Sequence, residues 1–387
     1  MQIRRLRSTA LAAGLALVSA SLLSAQTQVT IPPIDFSGVI YSNYQYRTDI
    51  RAKDFNKFDV ERVYLTFRMP AGDRASIRVT TDVFQQQTPG SDAYYQGWAL
   101  RLKYAYLQYN YLTGTAANWT AVARMGMVHN VVVDHEEQFW PRWIAQTDLE
   151  RAGLFNAADV GVATLITMPN KFGEIYAAVE NGPGYTSREL DRFKDPQVRL
   201  TLTPLANSRN KLLTTFTLSP WYYKGAVASR FVGSAPPPIT NGPVGSGLDR
   251  DRWGILAGIR DPRLTLGAQF TGFKGESETG TNTVGAPRVV VDSTGHIMSG
   301  FAIVKPLAFL DTAKSRLGVI ARYDRVTTNT DTDAAYHVFI GGLLLDLTRR
   351  ASLSFDYQET LPDKNTAFLG GINQPLKTWF VHLVANF

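Results

Sequence analysis

Seven basic side chains share a feature of spacing. Arg62, Arg78, Arg101, Lys103, Arg124, Arg199 and Arg322 each sit in a short segment where polar and apolar residues alternate, and each falls on the polar side. Around Arg199, for example, Val198, Leu200 and Leu202 point the other way. Fixed cations spaced like this have two uses. Facing a narrow passage, they bias which ion enters, and rings of Arg and Lys suit anions. They can equally pair with acids such as Glu61, Asp82 or Asp346 and hold a wall rigid. Spacing alone leaves both readings open.

A second concentration of chemistry lies between residues 129 and 158. It holds His129, Asp134, His135, Glu136, Glu137, Trp140, Arg142, Trp143, Asp148 and Glu150. A connection this long is functional or disordered, and its tryptophans argue that it packs against something. The expectation is a constriction loop folded on an inner wall, with Glu136 and Glu137 facing Arg62, Arg78 and Arg124 across a gap and Trp140 and Arg142 beside them. The His and Glu spacing is not the His-Glu-x-x-His of zinc proteases. No Gly-x-Ser-x-Gly is present. With no cysteine, thiolate metal sites and Cys nucleophiles are excluded. No catalytic residue, metal site or cofactor is therefore expected. An enzyme carried on a barrel, a lipase or protease, is one alternative; a barrel that conducts nothing and serves structure or adhesion is the other.

The elements that must position these residues are strands. Arg62 to Met69 alternates without a break: Val63, Leu65, Phe67 and Met69 lie opposite Arg62, Tyr64, Thr66 and Arg68. Ile34 to Arg47 and Ile77 to Val83 do the same. About sixteen such segments can be counted, near 34–47, 57–69, 75–86, 98–112, 118–128, 159–168, 173–182, 195–205, 211–225, 249–260, 263–275, 296–308, 315–326, 334–347, 351–361 and 377–387. Their lengths match the 9–11 tilted residues that cross a bilayer as a strand. Connections alternate between short turns (Pro70–Arg74, Ala206–Asn210, Asp261–Pro262) and long loops (His129–Ala158, Pro183–Lys194, Ala226–Leu248, Glu276–Gly295), the pattern of an outer-membrane barrel. Outward aromatics gather near strand ends, with Tyr44, Tyr46, Trp253, Tyr323 and Trp379 at one end and Phe36, Phe67, Tyr111 and Phe387 at the other, as headgroup girdles would. The fold class expected is all-β: a transmembrane antiparallel barrel over 26–387, with a polar lumen that suits water better than a plug.

The N-terminus reads as an export signal. Arg4, Arg5 and Arg7 precede an apolar stretch from Ala10 to Leu23 that ends in Ser24 and Ala25, so residues 1–25 are expected to be removed. The leader takes three of the 40 basic residues and none of the 33 acidic ones, lowering the formal charge from +7 to +4. That mild excess, without a Lys/Arg run, does not point to nucleic acid. Beyond the leader no apolar run is long enough for a transmembrane helix. A closed barrel can still span, because it satisfies every backbone group between strands.

Several motifs resemble a known family. The run Asp59-Val60-Glu61-Arg62-Val63-Tyr64-Leu65-Thr66-Phe67, followed by Arg78-Val79-Thr80-Thr81-Asp82-Val83, is similar to early strands of general porins related to the phosphate-selective porins O and P. Arg124-Met125-Gly126, then Glu136, Glu137, Trp140 and Arg142, then Ala158-Asp159-Val160-Gly161-Val162, looks like the fifth strand, third loop and sixth strand of that group. Asn181-Gly182-Pro183-Gly184-Tyr185 resembles a strand end. The C-terminal strand, closing on Phe387, resembles the signal read by the barrel-assembly machinery of bacterial outer membranes. The resemblance implies a sixteen-stranded, usually trimeric outer-membrane porin with its third loop in the pore, passing small hydrophilic solutes or ions. One departure is that the first strand starts about eight residues after the expected cut, leaving no room for an N-terminal periplasmic extension.

Overall fold

The computed structural model describes residues 33–85, 97–114, 118–189, 191–228, 247–279, 289–311, 316–363 and 374–387. The expected leader, residues 1–25, and the Pro236–Pro238 run lie outside these residues. From Asp35 to Phe387 the chain is one closed ring of sixteen antiparallel strands, each bonded to its neighbours in sequence. The strands are β1 (Asp35–Arg47), β2 (Asn56–Pro70), β3 (Ala75–Gln85), β4 (Trp98–Thr113), β5 (Thr120–His129), β6 (Ala158–Thr167), β7 (Gly173–Glu180) and β8 (Asp195–Leu202). They continue with β9 (Thr217–Ala228), β10 (Gly247–Asp261), β11 (Leu264–Thr279), β12 (Val289–Val304), β13 (Leu317–Asn329), β14 (Ala334–Asp346), β15 (Ala351–Pro362) and β16 (Leu376–Asn386).

Closure is made by β1 on β16, from Val39 opposite Asn386 to Arg47 opposite Thr378. The last residue extends the seam: the Phe387 N–H donates to the Gly38 carbonyl at 3.0 Å, and the Gly38 N–H to the Phe387 carbonyl at 2.9 Å. A closed ring leaves no edge, so every ladder group finds a partner within the wall.

The period of two sorts side chains cleanly. Outside lie Leu100, Leu107, Met125, Val162, Ile255, Phe270, Val319, Leu343 and Phe355, all exposed. An apolar belt this extensive far exceeds the patches that soluble monomers show. Among the expected girdle residues, Trp253, Tyr323, Trp379, Phe36, Tyr111 and Phe387 are exposed on it. Inside lie Asp82, Arg199, Gln269, Arg322, Ser354 and Asp356, all buried.

Several expectations need correction. β11 runs on to Thr279 and β12 starts at Val289, so most of the expected Glu276–Gly295 loop is paired strand. The β-branched run Val289–Val291 drives that pairing, and Ser277 and Glu278 had masked it. His296 therefore lies within β12. The β8–β9 connection is longer than expected, because Leu213–Thr215 forms a 3-10 turn before β9. The interior is also not simply polar: Leu256, Ile297, Phe301, Ile320, Val338 and Ile340 face inwards and are buried.

Two irregularities shape the inner wall. The β3–β4 register slips between Thr80 and Thr81, opposite Tyr104 and Leu102. The extra residue is Lys103, and the bulge lets Lys103 and Tyr104 both lie inside, where strict alternation would put one out. Gly126 in β5 has φ +128°, and a Cβ there would lie 2.2 Å from the Ala105 carbonyl oxygen of β4. Gly126→Ala should therefore cost about 1–3 kcal/mol, read as a lower urea midpoint for unfolding from detergent micelles. An unchanged midpoint would contradict this close approach.

Candidate functional site

The connection from β5 to β6 turns into the ring and lies across it. Its first turn is set by Asn130, whose side-chain oxygen accepts the N–H groups of Val132 and Val133 at 3.0 and 3.1 Å, while its amide donates to Gln197 on β8 at 3.1 Å. A one-turn helix, α1 (Val133–Glu136), follows. A second, α2 (Asp148–Arg151), is capped by Thr147, whose hydroxyl accepts the Glu150 N–H at 3.3 Å. Val131, Val132, Val133, Phe139, Trp140, Ile144, Leu149 and Phe155 are all buried, packed with the apolar inner residues of β9 to β14. Burying each such side chain is worth about 1.5–3 kcal/mol, so apolar contact supplies most of the adhesion.

Polar contacts fix how the loop sits. At its start, Arg199 of β8 donates to the Val131 carbonyl and pairs with Glu174 of β7. His135 Nε2 lies 2.8 Å from Ser219 of β9. Burial, helped by the neighbouring Arg199 charge, lowers the pKa of His135 well below its ordinary value and keeps the ring neutral. On the return limb, Arg252 of β10 donates to the Leu154 carbonyl, and Gln358 of β15 donates to that of Ile144 at 3.0 Å.

The centre of the seat is Arg322 on β13, which is fully buried. Its guanidinium lies 2.9 Å from Asp324, 3.1 Å from Glu136 and 3.5 Å from Asp148, and over the Trp140 ring at 5.0 Å. Arg151 reaches Asp324 at 3.2 Å, Gln269 donates to Asp148 at 3.2 Å, and Ser299 donates to Asp324 at 2.6 Å. Three carboxylates thus face two guanidinium groups. Burial and the adjacent Asp148 charge push the Glu136 carboxyl well above the usual carboxylate range, against the pull of Arg322. Burial also raises Asp148, with Arg322 opposing. One retained proton would balance the cluster.

The opposite face of the interior, on β2 to β5, carries the other expected cations. Arg62 and Arg101 share Asp82, at 3.3 and 2.9 Å, and Tyr185 donates to the same carboxylate at 3.2 Å. Lys103 is buried over the rings of Tyr64 and Tyr104, at 4.3 and 5.3 Å. Arg78 contacts Thr80 at 3.1 Å, His129 at 2.9 Å and the Tyr104 ring at 4.6 Å. Arg124 donates to Gln108 and Tyr176, at 3.0 and 3.3 Å. Among the described residues, no carboxylate lies within 4 Å of Lys103, Arg78 or Arg124. The loop turns its own triplet this way: Arg142 pairs with Glu137 at 2.9 Å and with Glu150, and Arg142 and Glu137 act electrostatically on Tyr41, Tyr64 and Lys103.

The expected single basic wall is thus divided. Arg62, Arg78, Arg101, Lys103 and Arg124 share one face, whereas Arg199 and Arg322 lie beneath the loop. Glu136 does not oppose Arg62, Arg78 and Arg124; it turns to the far wall, where it joins Asp324 and Asp148 around the buried Arg322. Glu137 does turn toward β2–β4, but bonded to Arg142. The anchors Asp148, Arg151 and Asp324 went unassigned in the sequence. One signal for them was there: Thr147-Asp-Leu-Glu150 is a capping-box spacing that marks a helix start inside the loop.

No family model matches the chain, and no curated protein sequence does. Solved structures resemble it over nearly its whole length. The anion-selective porin from Comamonas acidovorans matches at a TM-score of 0.61 and 10% identity, over 92% of this chain and 100% of its own. Salmonella typhi OmpF, in complex with daunomycin, matches at 0.58 and 12%, over 92% and 98%. Vibrio cholerae OmpT in its trimer form matches at 0.58 and 9%, over 92% and 99%. At such identities the likeness is one of fold.

Two outcomes test the seat. Arg322→Leu, which leaves Glu136 and Asp148 without a guanidinium partner, should destabilise the protein by about 3–5 kcal/mol in urea unfolding from micelles; a loss under 1 kcal/mol would contradict the cluster. Glu136→Gln should behave like the native protein at low pH. The folded state holds the Glu136 proton above the ordinary value of about 4.5, whereas the unfolded chain releases it there. The native protein should therefore lose stability relative to the variant as pH rises above that value. A pH-independent difference would contradict the raised carboxyl.

Proposed function

We propose that this chain is an outer-membrane porin, a channel for passive passage of small hydrophilic solutes or ions, with a preference for anions. The observation that carries the reading is a pair of opposite surfaces on one closed ring. The outer face is an apolar belt with aromatics near its ends, suited to lipid. Among the described residues, the inner face holds the partly exposed Arg78 and Arg124 with no carboxylate in contact. Mid-wall charge facing lipid would cost about 2–4 kcal/mol per residue, so these cations belong to the side that solutes meet.

Passage would run between the loop triplet Arg142, Glu137 and Glu150 and the face built by β1 to β5. Residues 130–157 act as the constriction. Arg62, Arg101, Lys103, Arg78 and Arg124 form a basic track down one side of the path, with Asp82 offsetting only the outermost pair. A leader over residues 1–25 takes the chain to the bacterial outer membrane, Phe387 presents the closing strand to the assembly machinery, and the barrel assembles as a homotrimer. The motifs around Arg62, Arg124 and Asn181 support kinship with the phosphate-selective porins O and P.

The test is the zero-current potential of the purified protein in a planar bilayer across a potassium chloride gradient. A potential of the sign set by chloride is expected, and one set by potassium would overturn the anion preference. Arg78→Glu should move it toward potassium. Replacing residues 131–156 with a short linker should raise single-channel conductance; no rise would refute the constriction role.

A further inference from the structure

Below the loop, toward the short-turn end of the ring, lies an open cavity of about 530 Å³. That is within the range of small-molecule sites. Its apolar lining comes from both partners: Phe139, Pro141 and Trp143 of the loop, and Ile303 and Leu344 of β12 and β14. Trp143 is half-buried and meets the His382 ring edge-on, with ring centres 6.4 Å apart. Phe139 also packs edge-on against His135 in the seat, whereas Trp143 is only half-buried and turns its ring to the cavity side. Seven other buried apolar side chains of the loop already hold it without Phe139, and Trp143 is not among them.

Each carboxylate lining the cavity has a cationic partner, Glu137 sharing Arg142 with Glu150. Asp261 pairs with Arg263 at 2.7 Å, Lys305 with Asp346 at 2.5 Å, and Glu137 with Arg142 at 2.9 Å. Arg260 of β10 has only neutral hydrogen-bond partners among the described residues: its guanidinium donates to the Gln138 side-chain oxygen at 3.0 Å and to the Gln138 carbonyl at 3.5 Å. It sits 5.9 Å from the centre of the Phe139 ring, and among the described residues no carboxylate lies within 4 Å of it. It is also exposed, so a partner can reach it.

We infer that this cavity is a transit binding site for aromatic carboxylates, with the flat ring against Phe139, Trp143 and Leu344 and the carboxylate on Arg260. The chemistry follows from the parts. An unpaired guanidinium beside a ring recognises a planar anion through charge-assisted hydrogen bonds, and aromatic walls favour a ring over an alkyl or inorganic anion of equal charge. The site rests on the channel reading, since the basic track would deliver anions to it. It adds a selectivity among anions that the track alone does not supply.

The experiment is block of chloride current through the full-length protein in planar bilayers, comparing 2-naphthoate with acetate. Half-block by naphthoate is expected at a concentration at least about tenfold below that of acetate. Trp143→Leu should shrink that ratio. Arg260→Gln should raise the half-block concentration of naphthoate about tenfold, and Arg260→Lys should recover part of it, which a merely structural role for Arg260 would not. Equal potency of the two anions, or a ratio untouched by both Trp143→Leu and Arg260→Gln, overturns the site while the channel stands. A protein that passes no current overturns the channel reading and the site with it.

Discussion

Arg322 is held away from water inside a ring of strands, and three carboxylates surround it, so removing any one partner of this buried charge is costly. Its wall supplies only Asp324. Glu136 and Asp148 come from the β5–β6 connection, and they can arrive only if that connection crosses the interior. The orientation of the loop follows from this cluster. Once α1 and α2 are drawn to β13, the apolar loop side chains cover the inner faces of Ile297, Phe301, Ile320 and Ile340, and one side of the interior closes.

The division of labour between forces is clear from their sizes. Each buried apolar side chain of the loop contributes about 1.5–3 kcal/mol, and eight of them are in place. The ion cluster adds little net stability, because desolvation offsets attraction, yet breaking it is expensive. Apolar contact therefore holds the loop, and the ions decide its orientation. Orientation matters for function. It places Arg142, Glu137 and Glu150 toward β1 to β5, and turns Phe139 and Trp143 toward the short-turn end.

Much of the fold was legible from alternation. Val63, Leu65 and Phe67 against Arg62, Tyr64 and Thr66 name the two faces of β2 without help, and the sixteen segments and their order follow in the same way. What stayed hidden has physical causes. Ser277 and Glu278 hid the end of β11, since strand membership there depends on the partner run Val289–Val291. The Lys103 bulge breaks alternation and is visible only in the pairing with Thr80 and Thr81. The partners of the arginines were least legible, because Arg62 meets Asp82 twenty residues away and Arg322 meets Glu136 across the whole ring. Spacing along one strand reports which face a cation is on, not which acid reaches it.

An interior with one sealed side and one wet side would differ sharply in its access to water. The chain has no cysteine, so single cysteines introduced at chosen positions can report water directly. In the folded protein, Arg62→Cys and Arg260→Cys should react with a water-soluble maleimide within minutes, while Ile320→Cys and Ile340→Cys should react only after unfolding. Labelling of the two isoleucine positions at the rate of the two arginine positions would contradict the account.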